Sequence, residues 1–249
     1  MARNRAIATM QTTTSIYLEY KPMDANPNKV VLVKDTNPGG DDSELTEFIE
    51  FNNKLYFTAD NGDTSTLWVS DGTTAGTQPV ADFLPNEYFS SFLFDRNFVE
   101  FNDKLYFRAD NGENGRELWV SDGTTEGTKL FADINPGEEG SSIESFTKFN
   151  NKLYFTADNG ENGRELWVSD GTTEGTKLFA DLNPGVEGSN PSDFFEFENK
   201  LYFSADDGEN GWQIWVSDGT TEGTKLFADM GFESSPDNNY YASYPRDFV

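Results

Sequence analysis

The side chains best suited to chemistry in this 249-residue chain are carboxylates, arginines and tyrosines, because it contains no Cys and no His. Without imidazole the commonest general base and metal ligand is missing, and without thiols so are zinc–thiolate sites. Zinc, haem and Ser-His-Asp chemistry are thereby excluded. What remains is proton transfer between a carboxylate and a tyrosine, with an arginine holding an anionic group. Asp247 or Asp193 is the candidate base, Arg96 or Arg246 the anion holder, and Tyr241 or Tyr244 the proton donor. A second chemistry is hard-cation binding by Asp158, Glu161 and Asn162, or by their twins Asp110, Glu113 and Asn114, in Gly-containing acidic loops. Tested against an EF-hand loop, Asp158, Asn162 and Gly163 fit, but Gly160 and Ser169 occupy ligand positions, so that template fails. Calcium in another geometry stays open, beside the plainer reading of a solvated hairpin loop, and no other cofactor is expected. A third chemistry is stacking: Trp212 stands where the twin loops carry Arg116 and Arg164.

The elements that must position these groups come from a repeat. Trp-Val-Ser-Asp-Gly-Thr recurs at Trp68, Trp119, Trp167 and Trp215, at intervals of 51, 48 and 48 residues. A fixed period in this range marks a repeat architecture. Within one unit, Ser145–Phe149, Lys152–Ala157, Glu165–Ser169 and Thr176–Ala180 read as strands A to D. Each is short, rich in β-formers and bounded by Asn, Asp or Gly. No window carries a helical period. Four antiparallel strands per unit predict an all-β fold, a β-propeller of four-stranded blades. The unit from Lys104 to Asp133 matches Lys152 to Asp181 except at Arg108, where the twin has Thr156.

The termini predict a fifth blade. Pro245-Arg246-Asp247-Phe248-Val249 aligns with the strand A opening Pro191-Ser192-Asp193-Phe194-Phe195. Ala6–Thr9, Ile16–Tyr20 and Val30–Val33 take the places of strands B, C and D. A single five-bladed domain over residues 1–249 follows, with blades at about 45–82, 93–133, 143–181 and 191–229, and a closure blade joining 243–249 to 1–35. Mixed closure of this kind removes exposed sheet edges.

The octamer Glu117-Leu118-Trp119-Val120-Ser121-Asp122-Gly123-Thr124, repeated from Glu165 to Thr172, resembles the bacterial ELWxxDGT repeat proteins. The first unit departs with Thr66-Leu67-Trp68 and the fourth with Gln213-Ile214-Trp215. The resemblance implies a propeller-like fold and an extracellular or surface setting in a bacterium, and it carries no activity. The motif itself reads as scaffold, with Trp packing between blades and Asp and Gly shaping a turn.

Function is better sought where the repeat breaks. At equivalent A-strand positions stand Glu47, Asn97, Ser145, Asp193 and Asp247, each followed by Phe. One residue earlier come Thr46, Arg96, Glu144, Ser192 and Arg246. Such a polar set is expected at the channel mouth. Two D–A connections add aromatics, Tyr88, Phe89 and Phe92 in one and Phe232, Tyr240, Tyr241 and Tyr244 in the other. Trp212, Glu47, Asn97, Asp193, Asp247, Arg246, Tyr88 and Tyr240 are the candidate ligand contacts.

Forty-four acids against 18 bases give a formal charge of −26, which repels phosphate backbones and anionic lipid. Nucleic acid is excluded as a partner. No run of apolar residues suits a signal peptide or membrane span, so membrane insertion is not expected. The leading expectation is a monomeric, non-catalytic, lectin-like module for a glycan or other polyhydroxylated ligand, bound on an acidic face built by the B–C and D–A loops. A protein partner could dock on the same face. An enzyme with one carboxylate–Arg–Tyr site and a duplicated or engineered scaffold without ligand are the alternatives.

Overall fold

Each unit's first hairpin turns on two residues that tolerate positive φ. The pairs Asn52-Asn53, Asn102-Asp103, Asn150-Asn151 and Glu198-Asn199 all lie between φ 48° and 58°. Two consecutive left-handed residues make the tight turn whose twist matches that of the flanking strands. Asn and Asp adopt this region at least cost, so the turn chemistry fixes the hairpin register.

The computed structural model describes residues 7–8, 15–19, 32–37, 44–60, 64–84, 98–209 and 211–228. Among these there are strands and turns and no helix. Sheet 1 contains β4 (Glu44–Phe51), β5 (Lys54–Asp60), β6 (Ser65–Ser70) and β7 (Gln78–Phe83). Sheet 2 contains β8 (Phe98–Phe101), β9 (Lys104–Asp110), β10 (Arg116–Ser121) and β11 (Lys129–Ala132). Sheet 3 has β12 (Glu144–Phe149), β13 (Lys152–Asp158), β14 (Arg164–Ser169) and β15 (Lys177–Ala180). Sheet 4 has β16 (Ser192–Phe197), β17 (Lys200–Asp206), β18 (Trp212–Ser217) and β19 (Lys225–Ala228). Each is a meander whose spatial order follows the chain. An N-terminal sheet of three strands, β1 (Ile7–Ala8), β2 (Ser15–Glu19) and β3 (Leu32–Asp35), precedes them.

The chain divides into two compact units, residues 1–92 with 121–129, and residues 93–120 with 130–249. The first holds the N-terminal sheet and sheet 1. There Phe57 stacks between Phe48 at 5.7 Å and Trp68 at 6.3 Å, in a core with Val33 and Ala59. In the second unit β12 lies against both β8 and β16, so strand A is the inner strand of its sheets. One core there joins Phe101, Tyr106 and Leu118 of sheet 2 to Leu153, Phe155 and Trp167 of sheet 3. A second joins Phe149, Tyr154 and Val168 of sheet 3 to Leu201 and Phe203 of sheet 4. The recurring Phe of strand A meets an aromatic on strand B in every full sheet, as in Phe146–Phe155 at 5.7 Å and Phe194–Phe203 at 5.6 Å.

Strand limits fall within one or two residues of those expected from the sequence. The register refines one of them. In sheet 4 a bulge between Ile214 and Trp215 sets Trp215 opposite Leu226, and in the N-terminal sheet a bulge between Ile16 and Tyr17 sets Tyr17 opposite Leu32. Tyr17 therefore holds the register position of the repeated Trp, and Ala8 that of Tyr202. The sequence alignment places Ile7 there, one residue away.

Candidate functional site

The repeated motif is a clasp between neighbouring sheets. Asp170 Oδ1 accepts the Thr172 N–H at 2.9 Å and its hydroxyl at 2.6 Å, while Gly175 N donates to Thr172 Oγ1 at 3.0 Å. Those bonds hold Asp170 below its usual carboxylate range, the Thr172 hydroxyl contributing most. The closed turn then receives the preceding sheet: Asn102 Nδ2 donates to Asp170 O at 3.2 Å and Tyr106 Oη to Gly171 O at 3.5 Å. Asn150 and Tyr154 treat Asp218 and Gly219 the same way, at 3.2 and 3.5 Å. Burial first, and then the Asp218 carboxylate, push Tyr154 up to about 12.

The motif's Glu holds the other end. Glu165 is fully buried and its carboxylate accepts Leu182 N at 3.0 Å, Asn183 N at 3.2 Å, Ser189 N at 2.7 Å and Ser189 Oγ at 2.5 Å. Glu117 binds Ile134 N, Asn135 N and Ser141 Oγ at 2.9, 3.1 and 2.7 Å. Burial pushes both carboxylates up despite these donors. The D–A connection so anchored reaches onward, with Ser141 O accepting Asp158 N at 2.8 Å and Ser189 O accepting Asp206 N at 2.9 Å. These carboxyls and the Tyr154 phenol thus serve the scaffold.

The loops proposed for a cation are occupied with themselves. Asp158 Oδ1 accepts Gly160 N at 2.7 Å, Asn159 Oδ1 accepts Glu161 N and Asn162 N at 3.0 and 2.9 Å, and Asn162 Nδ2 donates to Asp181 Oδ2 at 2.9 Å. The twin loop repeats this through Asp110 with Gly112 at 2.7 Å, Asn111 with Glu113 at 3.1 Å, and Asn114 with Asp133 at 2.9 Å. Among the described residues no three Asp or Glu side chains gather into a group that could hold a metal ion. Trp212 opens β18 and is half-buried, in register with Asp206.

Strand A carries its pattern-breaking residues in a strained conformation. Glu47, Ser145 and Asp193 have φ of 58°, 57° and 54°, each at a bulge where the A–B register slips. Left-handed backbone is uncommon for Glu and Ser, and it re-aims the strand locally. Asp193 is exposed and accepts the Ser192 hydroxyl at 3.1 Å. Arg96, Asn97, Tyr88, Tyr240, Tyr241, Tyr244, Arg246 and Asp247 lie outside the described residues.

Two further groupings appear in the second unit that sequence reasoning did not single out. At the A–B end of the sheets an open cavity of about 740 Å³ is lined by Glu100, Asn102, Asp103, Lys148, Asn151 and Glu196, among others, with Phe101 and Phe149 beneath. Its signal in the sequence is a charge reversal, Lys148 standing where equivalent strands have Glu50, Glu100 and Glu196. At the other end, where an acidic face is expected, Arg108 and Arg164 meet at Glu144. Arg108 Nη1 donates to Ile143 O at 2.9 Å and lies 3.7 Å from the Glu144 carboxylate, which also accepts Arg164. Burial and then the charge of Arg108 push Arg116 below its usual value, with Asp110 opposing.

No family model matches this chain, and no curated protein does. Solved structures do match in shape. A crystal structure of a puromycin hydrolase aligns with TM-score 0.54 at 12% identity, over 89% of this chain and 34% of that one. Prolyl oligopeptidase B from Galerina marginata aligns with TM-score 0.50 at 13% identity, over 86% of this chain and 30% of that one. The chain spans about a third of the length of these proteins. At such identity the likeness is one of fold, a β-propeller type of repeated four-stranded sheets.

Proposed function

We propose that the chain is a non-catalytic binding module for a neutral, polyhydroxylated ligand of the oligosaccharide type. The observation that carries this reading is the cavity of about 740 Å³ at the A–B turns. Its volume lies within the ordinary span of small-ligand sites. Amides of Asn102, Asn150 and Asn151 and the carboxylates of Glu100, Asp103 and Glu196 offer the paired donors and acceptors that vicinal hydroxyls use. Asn102, Asp103, Asn150 and Asn151 sit on two-residue turns braced by Asn102 and Asn150 against the neighbouring clasp, and Glu100 and Glu196 lie on β8 and β16, so little order must be gained on binding. The reading moves the ligand from the B–C and D–A end, favoured by the sequence, to the opposite end of the strands.

Calorimetric titration with a panel of neutral oligosaccharides tests it. One saturable site is expected, weakened about tenfold or more by Asp103→Ala or Lys148→Glu, a loss of ~1.4 kcal/mol. Silence across the panel at millimolar concentration, or an affinity indifferent to both substitutions, sinks the proposal.

We also propose five blades, closed by residues 243–249 beside β1. The shared C–D bulge at Tyr17 and Trp215 supports it. So does sheet 4, where Phe197 is 54% exposed although its equivalent Phe149 is only 2% exposed, as expected of a face awaiting its next neighbour.

A further inference from the structure

In sheets 2 and 3 the loop of the B–C hairpin holds the parts of a reaction on itself. Asn159 precedes Gly160, and Asn111 precedes Gly112. A glycine after asparagine leaves the next backbone nitrogen unshielded, because no Cβ stands beside it. That nitrogen can attack the asparagine's own side-chain carbon, a ring closure between groups already joined in one chain. The step is slow unless one group takes the N–H proton and another stabilises the charge that forms on the side-chain oxygen.

The loop supplies both. Gly160 N donates to Asp158 Oδ1 at 2.7 Å, so a carboxylate already faces the proton that must leave. Asn159 Oδ1 accepts Glu161 N at 3.0 Å and Asn162 N at 2.9 Å, two backbone donors at the spacing of an oxyanion hole. Asn159 Nδ2 donates to Asn162 Oδ1 at 3.0 Å, which fixes the plane of the amide. Gly160 and Glu161 are exposed, so water reaches the loop. The twin loop repeats the arrangement with Asp110, Gly112 and Asn111, though its second donor, Asn114 N, stands further off at 3.3 Å. Sheet 4 carries Asp207 in the asparagine's place, and Asp207 Oδ1 still accepts Glu209 N at 3.0 Å. The fold therefore accepts the acid that the amide would become.

We propose that Asn159, and more slowly Asn111, is a self-modification site that converts its side-chain amide to a carboxylate. The Asp158 carboxylate takes the proton from Gly160 N as that nitrogen bonds to Asn159 Cγ. The Glu161 and Asn162 N–H groups hold the Oδ1 anion of the tetrahedral intermediate. Its collapse breaks the Cγ–Nδ2 bond, Nδ2 takes the proton back from Asp158, and ammonia leaves a five-membered succinimide behind. Water then opens the ring at either carbonyl, giving aspartate or, with the backbone rerouted through the side chain, isoaspartate. Asn162 and Asn114 also precede glycine, yet Gly163 and Gly115 are buried. A Cβ placed on them would lie 2.5 Å from a backbone nitrogen, that of Gly188 or Gly140. Their own nitrogens have no room to advance, so these two asparagines keep their amides.

The test incubates the intact chain in neutral buffer below its melting temperature and maps its peptides by mass spectrometry that separates aspartate from isoaspartate. A second sample in concentrated guanidinium chloride gives the unassisted rate. In the folded chain Asn159 should convert first and Asn111 next, with Asn114 and Asn162 unchanged over the same period. In the denaturant Asn111 and Asn159 should convert equally, their flanking residues being identical. Asp158→Asn keeps an acceptor for Gly160 N but removes the base, so conversion at Asn159 should slow about tenfold or more. Asn111 in the same molecules is the internal clock, and its wild-type rate shows that the fold has survived. Asp110→Asn should do the reverse, slowing Asn111 and sparing Asn159. Slower conversion of Asn159 in the folded chain than in the denaturant overturns the proposal. So do equal rates at Asn159 and Asn162 in the folded chain, or rates indifferent to both substitutions.

Discussion

At Glu165 burial and hydrogen bonding act in opposite directions. Burial raises its pKa, while two N–H groups and the Ser189 side chain and backbone pull it down, and burial prevails. Ionisation is thus harder in the folded chain than in the unfolded one. Its contribution to stability is whole below the ordinary value of 4.5 and is lost as pH rises through the folded value. The exposed turn aspartates, Asp170 and Asp218, run the other way. Held low by Thr172 and Thr220, they favour the fold above their ordinary value of 3.8 and stop doing so as pH falls through the folded value. Replacing Glu165 by Gln sets an amide N–H₂ against donors and should cost about 1–3 kcal/mol. Chemical denaturation at several pH values checks the sign: the gap between wild type and Glu165→Gln should narrow from pH ~4 to pH ~7. A gap that widens contradicts burial as the ruling cause.

At the scale of the element, the D–A connection and the start of strand C make one bracket. Ser141 N donates to Arg116 O at 3.0 Å and Asn190 N to Arg164 O at 2.9 Å. The approach is so close that the preceding residue must lack a side chain. Gly163 has φ 66°, and a Cβ there would lie 2.5 Å from Gly188 N and 2.6 Å from Val186 O. Both obstacles are backbone, which cannot swing aside. Gly163→Ala should therefore destabilise by about 1–3 kcal/mol, seen as a fall in Tm of several degrees. A Tm within about 1 °C of wild type would show that the bracket relaxes freely.

For the whole molecule the decisive matter is closure. If residues 243–249 supply strand A beside β1, Val249 takes the place of Phe195, which pairs with Tyr202, and Ala8 takes the place of Tyr202. The chain has no cysteine, so a pair introduced at Val249 and Ala8 can meet only each other within one molecule. Under oxidising conditions that pair should close into a circle that migrates faster on a non-reducing gel and melts at higher temperature. Equal mobility of oxidised and reduced chains, or dimers alone, would count against the fifth blade.

Much of this was legible without coordinates. The period of the repeat, the β-formers between Asn, Asp and Gly, and the two-residue turns are local properties, and local chemistry is written in adjacent residues. The scaffold role of Asp170, Gly171 and Thr172 follows from their types, because Asp and Thr close the turn on their own backbone. The partners of those turns were not legible. Asn102 meets Asp170 across 68 positions, and nothing in either residue names the other. Likewise nothing in the type of Glu165 marks it as buried, and only the packing of the D–A connection covers it. Arg108 was visible as the one mismatch between twins, yet its partners Ile143 and Glu144 come from the start of the next sheet. The sequence by itself determined the strands, their turns and their number in the four full sheets, since these depend on neighbours in the chain. Only the tertiary structure decided which carboxylates are buried, where a cavity opens and where positive charge collects, because burial and field depend on neighbours in space.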